Sequence, residues 1–250
     1  MTLLERRHEI CNYLKKNKKA SREELAETFK VSLMTISRDL NFLEEKGILT
    51  STYGGIFYKE FLSNELQYEK KKEENIEIKR KIAKEALKEL KPNMTILLDA
   101  GTTTFELANQ IQNSQLNLTI ITNDMYIALT LYKNKNIKVI LIGGDVSPDT
   151  GSTQSLSTIE ELKKYNVDIS FIGCSAITDN YWLCCPNEMK MTIKQLMISQ
   201  ANRKVLLADS SKFNKKKLYN VASLESFDLI ITDYCVKNKK KWMKNVVCIK

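Results

Sequence analysis

One histidine, His8, stands in 250 residues. That scarcity weighs against a Ser-His-Asp triad and against a histidine-rich zinc site, since both place imidazole at the working centre. The six cysteines, at 11, 174, 184, 185, 235 and 248, contain no CxxC pair. They read as reduced thiols buried as small hydrophobes, and neither a metal nor a cofactor is expected; the adjacent Cys184 and Cys185 offer the one place for an oxidant to act. No run of about 18 apolar residues exists, so no segment reads as a membrane span. The opening MTLLERRHEICNYLKK is a charged amphipathic helix and not a signal peptide, which points to a cytoplasmic protein. There is no internal repeat. What is present is an ordinary apolar fraction of 43% and a net charge of +9, which favours polyanion partners. The length suits two domains.

The segment from Ser21 to Gly47 carries the clearest local pattern. Ser21 and Glu24 have capping-box spacing, and Leu25, Ala26 and Phe29 give the helix behind them one apolar side. A tight turn at Lys30-Val31 leads to Ser32, a good N-cap for a second helix. In that helix Leu33, Ile36, Leu40 and Leu43 repeat at helical steps, while Met34, Thr35, Ser37, Arg38 and Asn41 form a polar edge. Arg and Asn can contact base edges bidentately, and a helix of this kind fits the major groove of duplex DNA. Ile48-Leu49 and Ile56-Phe57-Tyr58 read as two strands joined by a turn at Tyr53, Gly54 and Gly55. With a first helix over residues 2–17 (Leu3, Ile10 and Leu14 buried), residues 1–58 make a winged helix-turn-helix. A helical hairpin with a plain solvated face is the competing reading.

Residues 59–78 are a Lys-Glu run without Gly or Pro, expected as a charged, solvated helical linker. From residue 79 to 250 the pattern changes. After a helix over 79–91, apolar runs at 95–99, 119–122, 138–143, 168–173, 204–209, 228–233 and 246–249 alternate with helical stretches near 103–112, 124–132, 155–164, 187–201 and 236–244. That alternation predicts a mostly parallel sheet covered on both faces. Ligands bind such sheets at the carboxyl ends of the strands. There the sequence places Asp99, Gly101, Thr102, Thr103 and Thr104; Asn123 and Asp124; Gly143; Gly173 to Ala176; and Asp209 to Phe213, including Lys212. Each stretch alone is ordinary turn chemistry. Together they suggest an anion cradle for a small phosphorylated sugar or polyol.

VSLMTISRDLNFLEEKGIL followed by TSTYGGIF resembles the winged helix of the DeoR family of bacterial transcription regulators. The matching features are Val31-Ser32, Thr35 to Leu40, Leu43-Glu44 with Gly47, and Gly54-Gly55. The second part resembles the family's sensor domain, which has D-x-G-T-T, T-N-D, G-G and D-S-S-K-F in this order. The resemblance spans almost the whole chain. It implies an α/β sensor of the ribose-phosphate isomerase-like type, also similar to glucosamine-6-phosphate deaminases, with Asp99, Gly101, Thr102, Thr103, Asn123, Asp124, Lys194 and Lys212 lining a sugar-phosphate pocket. It further implies a repressor that binds double-stranded operator DNA as a homo-oligomer, a dimer or tetramer. Four positions depart from the family: Ser51 replaces an Arg in the wing, Ala176 a Gly, Trp182-Leu183-Cys184 a Gly-Leu-Thr, and Lys190 a Glu. Trp182 is expected to narrow the pocket and Lys190 to make it more cationic. Two other readings stay open. One is a sugar-phosphate isomerase or deaminase using Asp99, Asp124 or Lys194. The other is a regulator whose sensor is degenerate and answers to a partner or to oxidation at Cys184-Cys185.

Overall fold

The Ser21–Glu24 capping box forms: the Glu24 N–H donates to Ser21 Oγ at 3.0 Å, and the Ser21 N–H donates to Glu24 Oε2 at 3.3 Å. These distances come from a computed structural model describing residues 3–17, 19–45, 48–52, 55–58, 68–234 and 245–249. The chain divides into two units, residues 1–64 and 65–250.

The first unit runs α1 (Leu3–Asn17), β1 (Lys19–Ala20), α2 (Arg22–Phe29), α3 (Leu33–Glu45), β2 (Leu49–Thr52) and β3 (Gly55–Tyr58). Helix α2 stops at Lys30, whose left-handed φ of 51° lets its N–H close onto the Ala26 and Glu27 carbonyls. That reversal creates the short turn before α3. Ile10, Leu14, Leu25, Ile36, Leu40, Leu43, Leu49 and Ile56 bury one another. Leu3 and Leu33 do not join them, remaining 48% and 49% exposed. Each is the first residue of its helix and overhangs the core. Strand β1 was not legible in the sequence; it pairs with β3, giving the order β1-β3-β2. Gly55 makes this pairing feasible: at φ 123° a side chain would be strained, and a Cβ would sit 3.1 Å from the Ala20 carbonyl oxygen. Tyr53 and Gly54, expected in the wing turn, lie outside the described residues.

One buried charge holds α1 to α3. Asp39 is only 1% exposed and accepts from Arg6 Nε at 2.6 Å and from Arg7 Nε at 2.8 Å. The Arg7 guanidinium also covers the Phe42 ring at 3.8 Å.

The second unit begins with α4 (Tyr68–Glu73) and α5 (Ile76–Leu87). Alternation then follows through β4 (Thr95–Leu98), α6 (Thr102–Gln112), β5 (Leu118–Thr122), α7 (Met125–Leu131), β6 (Ile137–Leu141), α8 (Leu156–Leu162) and β7 (Val167–Gly173). After β8 (Ala176–Ile177) and β9 (Trp182–Cys185) come α9 (Glu188–Ser199), β10 (Ala201–Leu207), β11 (Tyr219–Ser223), β12 (Leu229–Thr232) and β13 (Val246–Cys248). The seven expected strands form one parallel sheet, ordered β13-β12-β10-β7-β4-β5-β6. The central strands are apolar along their buried stretches, such as Ile96–Leu98 and Val205–Leu207, because both faces are covered there. Ile96, Leu98, Phe171, Val205 and Leu207 pack with α5, α6 and α7 residues such as Ile82, Leu107 and Ile127. The intervening Leu97, Ile172 and Leu206 pack oppositely with Leu162, Ile193 and Met197. Strands β11, β9 and β8 make a separate antiparallel sheet that the sequence reading missed.

The expectation of six reduced thiols needs one correction: Cys248 is disulfide-bonded. It sits exposed on edge strand β13. The helix expected over 236–244 and Cys235 lie outside the described residues.

Replacing Asp39 with Ala leaves Arg6 and Arg7 without their shared acceptor, and should cost the first unit about 1–3 kcal/mol. Urea unfolding of the full chain followed by circular dichroism measures this; an unchanged first transition would contradict the anchoring role.

Candidate functional site

Helix α3 presents its polar edge as expected. Ser32 caps it, its Oγ accepting from the Thr35 N–H at 3.2 Å and bonding Thr35 Oγ1 at 2.9 Å. Met34, Arg38 and Asn41 are exposed, at steps of four and three on one face, with Thr35 and Ser37 half-buried beside them. Ser51, where the family resemblance implies an Arg, is exposed on β2.

In the second unit, β5 and β6 lie on one side of β4, and the chain then crosses to build β7, β10 and β12 on the other. The crevice at such a reversal is where a parallel sheet offers a ligand site. Asp99 follows β4 and Gly173 ends β7. Gly173 N–H donates to Asp99 Oδ2 at 2.8 Å, and Lys194 from α9 forms an ion pair with the same oxygen while donating to the Gly173 carbonyl at 3.0 Å. Lys194 is thus buried in the crevice and not on the surface. Burial alone would lower its pKa; the Asp99 carboxylate more than offsets this, and the net shift is upward.

Around this pair lie further polar groups closed away from water. Asp124 caps α7, its Oδ1 accepting from Tyr126 N–H at 2.8 Å and Ile127 N–H at 3.2 Å. Its second oxygen, Asp124 Oδ2, is buried without a hydrogen-bond partner, as are Asn123 Oδ1, Asp209 Oδ2 and the Tyr68 hydroxyl. Burial raises the Asp124 pKa to about 6, against the pull of the Ile127, Tyr126 and Gly101 backbone N–H groups. Lys212, on the short turn Ser210–Lys212, places its Nζ 3.7 Å from Asp209 Oδ2. Burial pushes the Cys174 thiol up to about 12, with Lys212 and Lys194 opposing.

The remaining expected residues behave differently from one another. Gly101 precedes α6, and Thr102 and Thr103 open it at the crevice rim. Thr104 is fully buried and its hydroxyl donates to the Gly101 carbonyl at 2.8 Å, so it is spent on the turn. Gly143 is exposed after edge strand β6, and its carbonyl accepts from Thr158 Oγ1 at 2.8 Å. It belongs to the α8 junction and is not drawn to the Asp99–Lys194 pair. Trp182, at the start of β9, is 40% exposed. Cys184 and Cys185 are fully buried, and burial raises both thiol pKa values, that of Cys185 to about 11, which disfavours the thiolate an oxidant needs.

Three residues of this region were missed. Tyr68 lies in the charged run yet is buried, stacked on Tyr126 with centroids 4.3 Å apart. Asn75 donates to Asp209 Oδ1 at 3.2 Å. Lys79 is 1% exposed, and burial with the nearby Lys212 charge lowers its pKa to about 8. A signal for Lys79 existed: it lies three and four residues before Ile82 and Ala83, on the buried face of α5. No helix of the described residues is long and apolar enough to cross a membrane.

Comparison with known proteins matches residues 6–60 to the DeoR-like helix-turn-helix domain and residues 74–234 to the DeoR C-terminal sensor domain. The chain is 33% identical to the HTH-type transcriptional regulator GlpR of Haloferax volcanii, over 92% of this chain and 89% of that one. It is 28% identical to a glycerol-3-phosphate regulon repressor of Escherichia coli K12, over 93% and 92%. Among solved structures it is similar to a ribose 5-phosphate isomerase A from Methanocaldococcus jannaschii, at 25% identity and a TM-score of 0.41 over 56% of this chain and 55% of that one. Helix-turn-helix at one end and sensor sheet at the other, both matched in order, make this chain a member of the DeoR family of DNA-binding transcriptional regulators.

Proposed function

We propose that this regulator is a repressor that binds operator DNA through α3 and responds to a small phosphorylated sugar or polyol at the strand ends of its second unit. The observation that carries the reading is the crevice itself. Cationic Lys194 and Lys212 stand beside unpaired carboxylate and amide oxygens, the mixture a ligand with a phosphate at one end and hydroxyls at the other can satisfy. Asp99, Gly101, Thr102, Thr103, Asn123, Asp124, Lys194 and Lys212 form the proposed pocket, while Thr104 supports it. One relative is named a repressor of a glycerol-3-phosphate regulon, consistent with an effector of this class. Ser32, Met34, Thr35, Ser37, Arg38 and Asn41 form the proposed DNA face, Arg38 and Asn41 reading base edges. Paired modules on paired half-sites require at least a dimer. The buried, protonated thiols speak against an oxidant sensor at Cys184-Cys185.

Replacing Arg38 with Ala should weaken binding to the specific operator by about 1–3 kcal/mol while leaving non-specific binding nearly unchanged. Electrophoretic mobility shift at fixed salt, with specific and scrambled duplexes, separates these; an equal loss on both would reduce Arg38 to a phosphate contact.

The Asp124 carboxylate makes a paired prediction. Its pKa is raised in the folded chain, from 3.8 to about 6, so the folded state holds the proton more tightly than the unfolded one. Its ionisation therefore subtracts stability as pH climbs from about 4 to about 6, and the loss is complete above that window. Asp124→Asn keeps an acceptor for the α7 cap but removes the charge. The variant should be more stable than the parent at pH 7 by about 1–3 kcal/mol, with the gap closing towards pH 4. It should also show a smaller thermal shift with glycerol 3-phosphate or whichever sugar phosphate shifts the parent. A variant less stable than the parent at pH 7 would contradict this account.

A further inference from the structure

Apart from the half-buried Lys212, the charged groups of the crevice are shut off from solvent. Asp99, Asp124, Asp209, Lys79 and Lys194 are all at most 4% exposed. A ligand that reaches them must displace something, and one segment that does not belong to the parallel sheet reaches Asp209 and lies beside Asp124. It is α4, the following turn and the first turn of α5. Tyr68 docks on the N-terminal ends of α6 and α7, stacking on Tyr126 and meeting Phe105 edge-on at 6.2 Å. Its N–H donates to the Asp149 carbonyl at 2.9 Å. Lys72 lies over the Phe105 ring at 5.0 Å. Asn75 takes a left-handed φ of 54° before α5 and reaches Asp209. Lys79 ties the segment to itself by donating to the Lys71 carbonyl.

Two side chains of this cover are costly to keep where they are unless they do something more. The Tyr68 residue is 5% exposed and its hydroxyl has no hydrogen-bond partner. A phenylalanine would stack equally well without stranding a polar atom. The phenol faces the Asp124 charge, and burial together with that charge holds its proton on. The buried Lys79 ammonium stands near the like charge of Lys212, with the Asp209, Glu74 and Glu106 carboxylates offsetting that repulsion only in part. An added anion would relieve that repulsion.

Resting on the effector reading above, we propose that residues 68–79 roof the effector site and recognise its occupant, Tyr68 through its hydroxyl to a ligand hydroxyl and Lys79 through its ammonium to the ligand phosphate. Effector binding then re-sets the roof, and the roof is the stretch of chain that follows directly on the DNA-binding unit. Residues 59–67 are all that separate Tyr68 from β3 in sequence. Signal and ligand therefore share one element, and no relay across the sheet is needed.

The test uses the full chain, Tyr68→Phe and Lys79→Gln, titrated by calorimetry with glycerol 3-phosphate, ribose 5-phosphate, glucosamine 6-phosphate and inorganic phosphate. Trypsin cleavage after Lys70, Lys71 and Lys72 is followed with and without the compound that binds the parent best. The expected result is that ligand-free Tyr68→Phe melts no lower than the parent, yet binds that compound at least about tenfold more weakly. Ligand should also slow roof cleavage in the parent and not in the variant. Lys79→Gln should lose binding to the same phosphorylated compound; should it fail to fold, Tyr68→Phe and the cleavage rates decide alone. Undiminished binding by Tyr68→Phe, with ligand-independent cleavage, overturns the roof while leaving the effector reading standing. No binding of any compound by the parent overturns the effector reading and the roof together.

Discussion

Lys194 and Asp99 meet in the interior of the sensor unit, and the geometry of the crevice follows from that meeting. An ion pair in a poorly polarisable surrounding loses the hydration of both partners and must regain it from close contacts. Here the Asp99 oxygen that receives Lys194 also receives the Gly173 N–H, and Lys194 donates in turn to the Gly173 carbonyl. Three elements that are distant in sequence, the ends of β4 and β7 and the helix α9, are therefore held at one point. Removing either partner leaves the other charged and stranded. The strand ends form a fixed frame on which the less constrained groups are hung.

Those other groups divide by whether a counter-charge is at hand. Asp99 has Lys194, and Asp209 has Lys212 at 3.7 Å. Among the described residues Asp124 and Lys79 make no close ion pair, and they are the two whose pKa values move towards the neutral form, Asp124 up to about 6 and Lys79 down to about 8 despite the carboxylates of Asp209, Glu74 and Glu106. Desolvation sets both directions. A site with an under-neutralised cation at one place and an under-donated carboxylate at another is unsatisfied in opposite senses. A ligand carrying phosphate and hydroxyl groups answers both. The oxygens of Asn123, Asp124 and Asp209 and the Tyr68 hydroxyl are buried without hydrogen-bond partners, which costs the fold stability.

Much of this was readable in the residues, for reasons that are physical. The seven parallel strands announced themselves because burial on both faces makes each one a short apolar run. The helix-turn-helix did so because capping, turn and helical spacing all agree between Ser21 and Leu43. What escaped depends on contacts distant in sequence. Tyr68 sits in a run of Lys and Glu whose composition says solvent, and only its docking on Tyr126 shows otherwise. Strands β8 and β9 are only two and four residues long, and β11, mixed in polarity, reaches β9 only after α9 and β10 have intervened. Gly143 looked like one more strand end, but it closes the edge strand, and its neighbours are the α8 cap. Asp39 lay in plain view within the helix motif, yet its burial under Arg6 and Arg7 needs α1 packed against α3.

The central claim is that one chain couples ligand at the strand ends to DNA at α3, and coupling of this kind is reciprocal. The most direct measurement is the affinity of the full-length protein for its phosphorylated ligand, taken once alone and once saturated with a fluorescent operator duplex. The anisotropy of that duplex is then read as ligand is added. The account expects the ligand to change operator affinity, and the operator to change ligand affinity, by the same factor, about 5- to 150-fold. Equal ligand affinity with and without operator would contradict it.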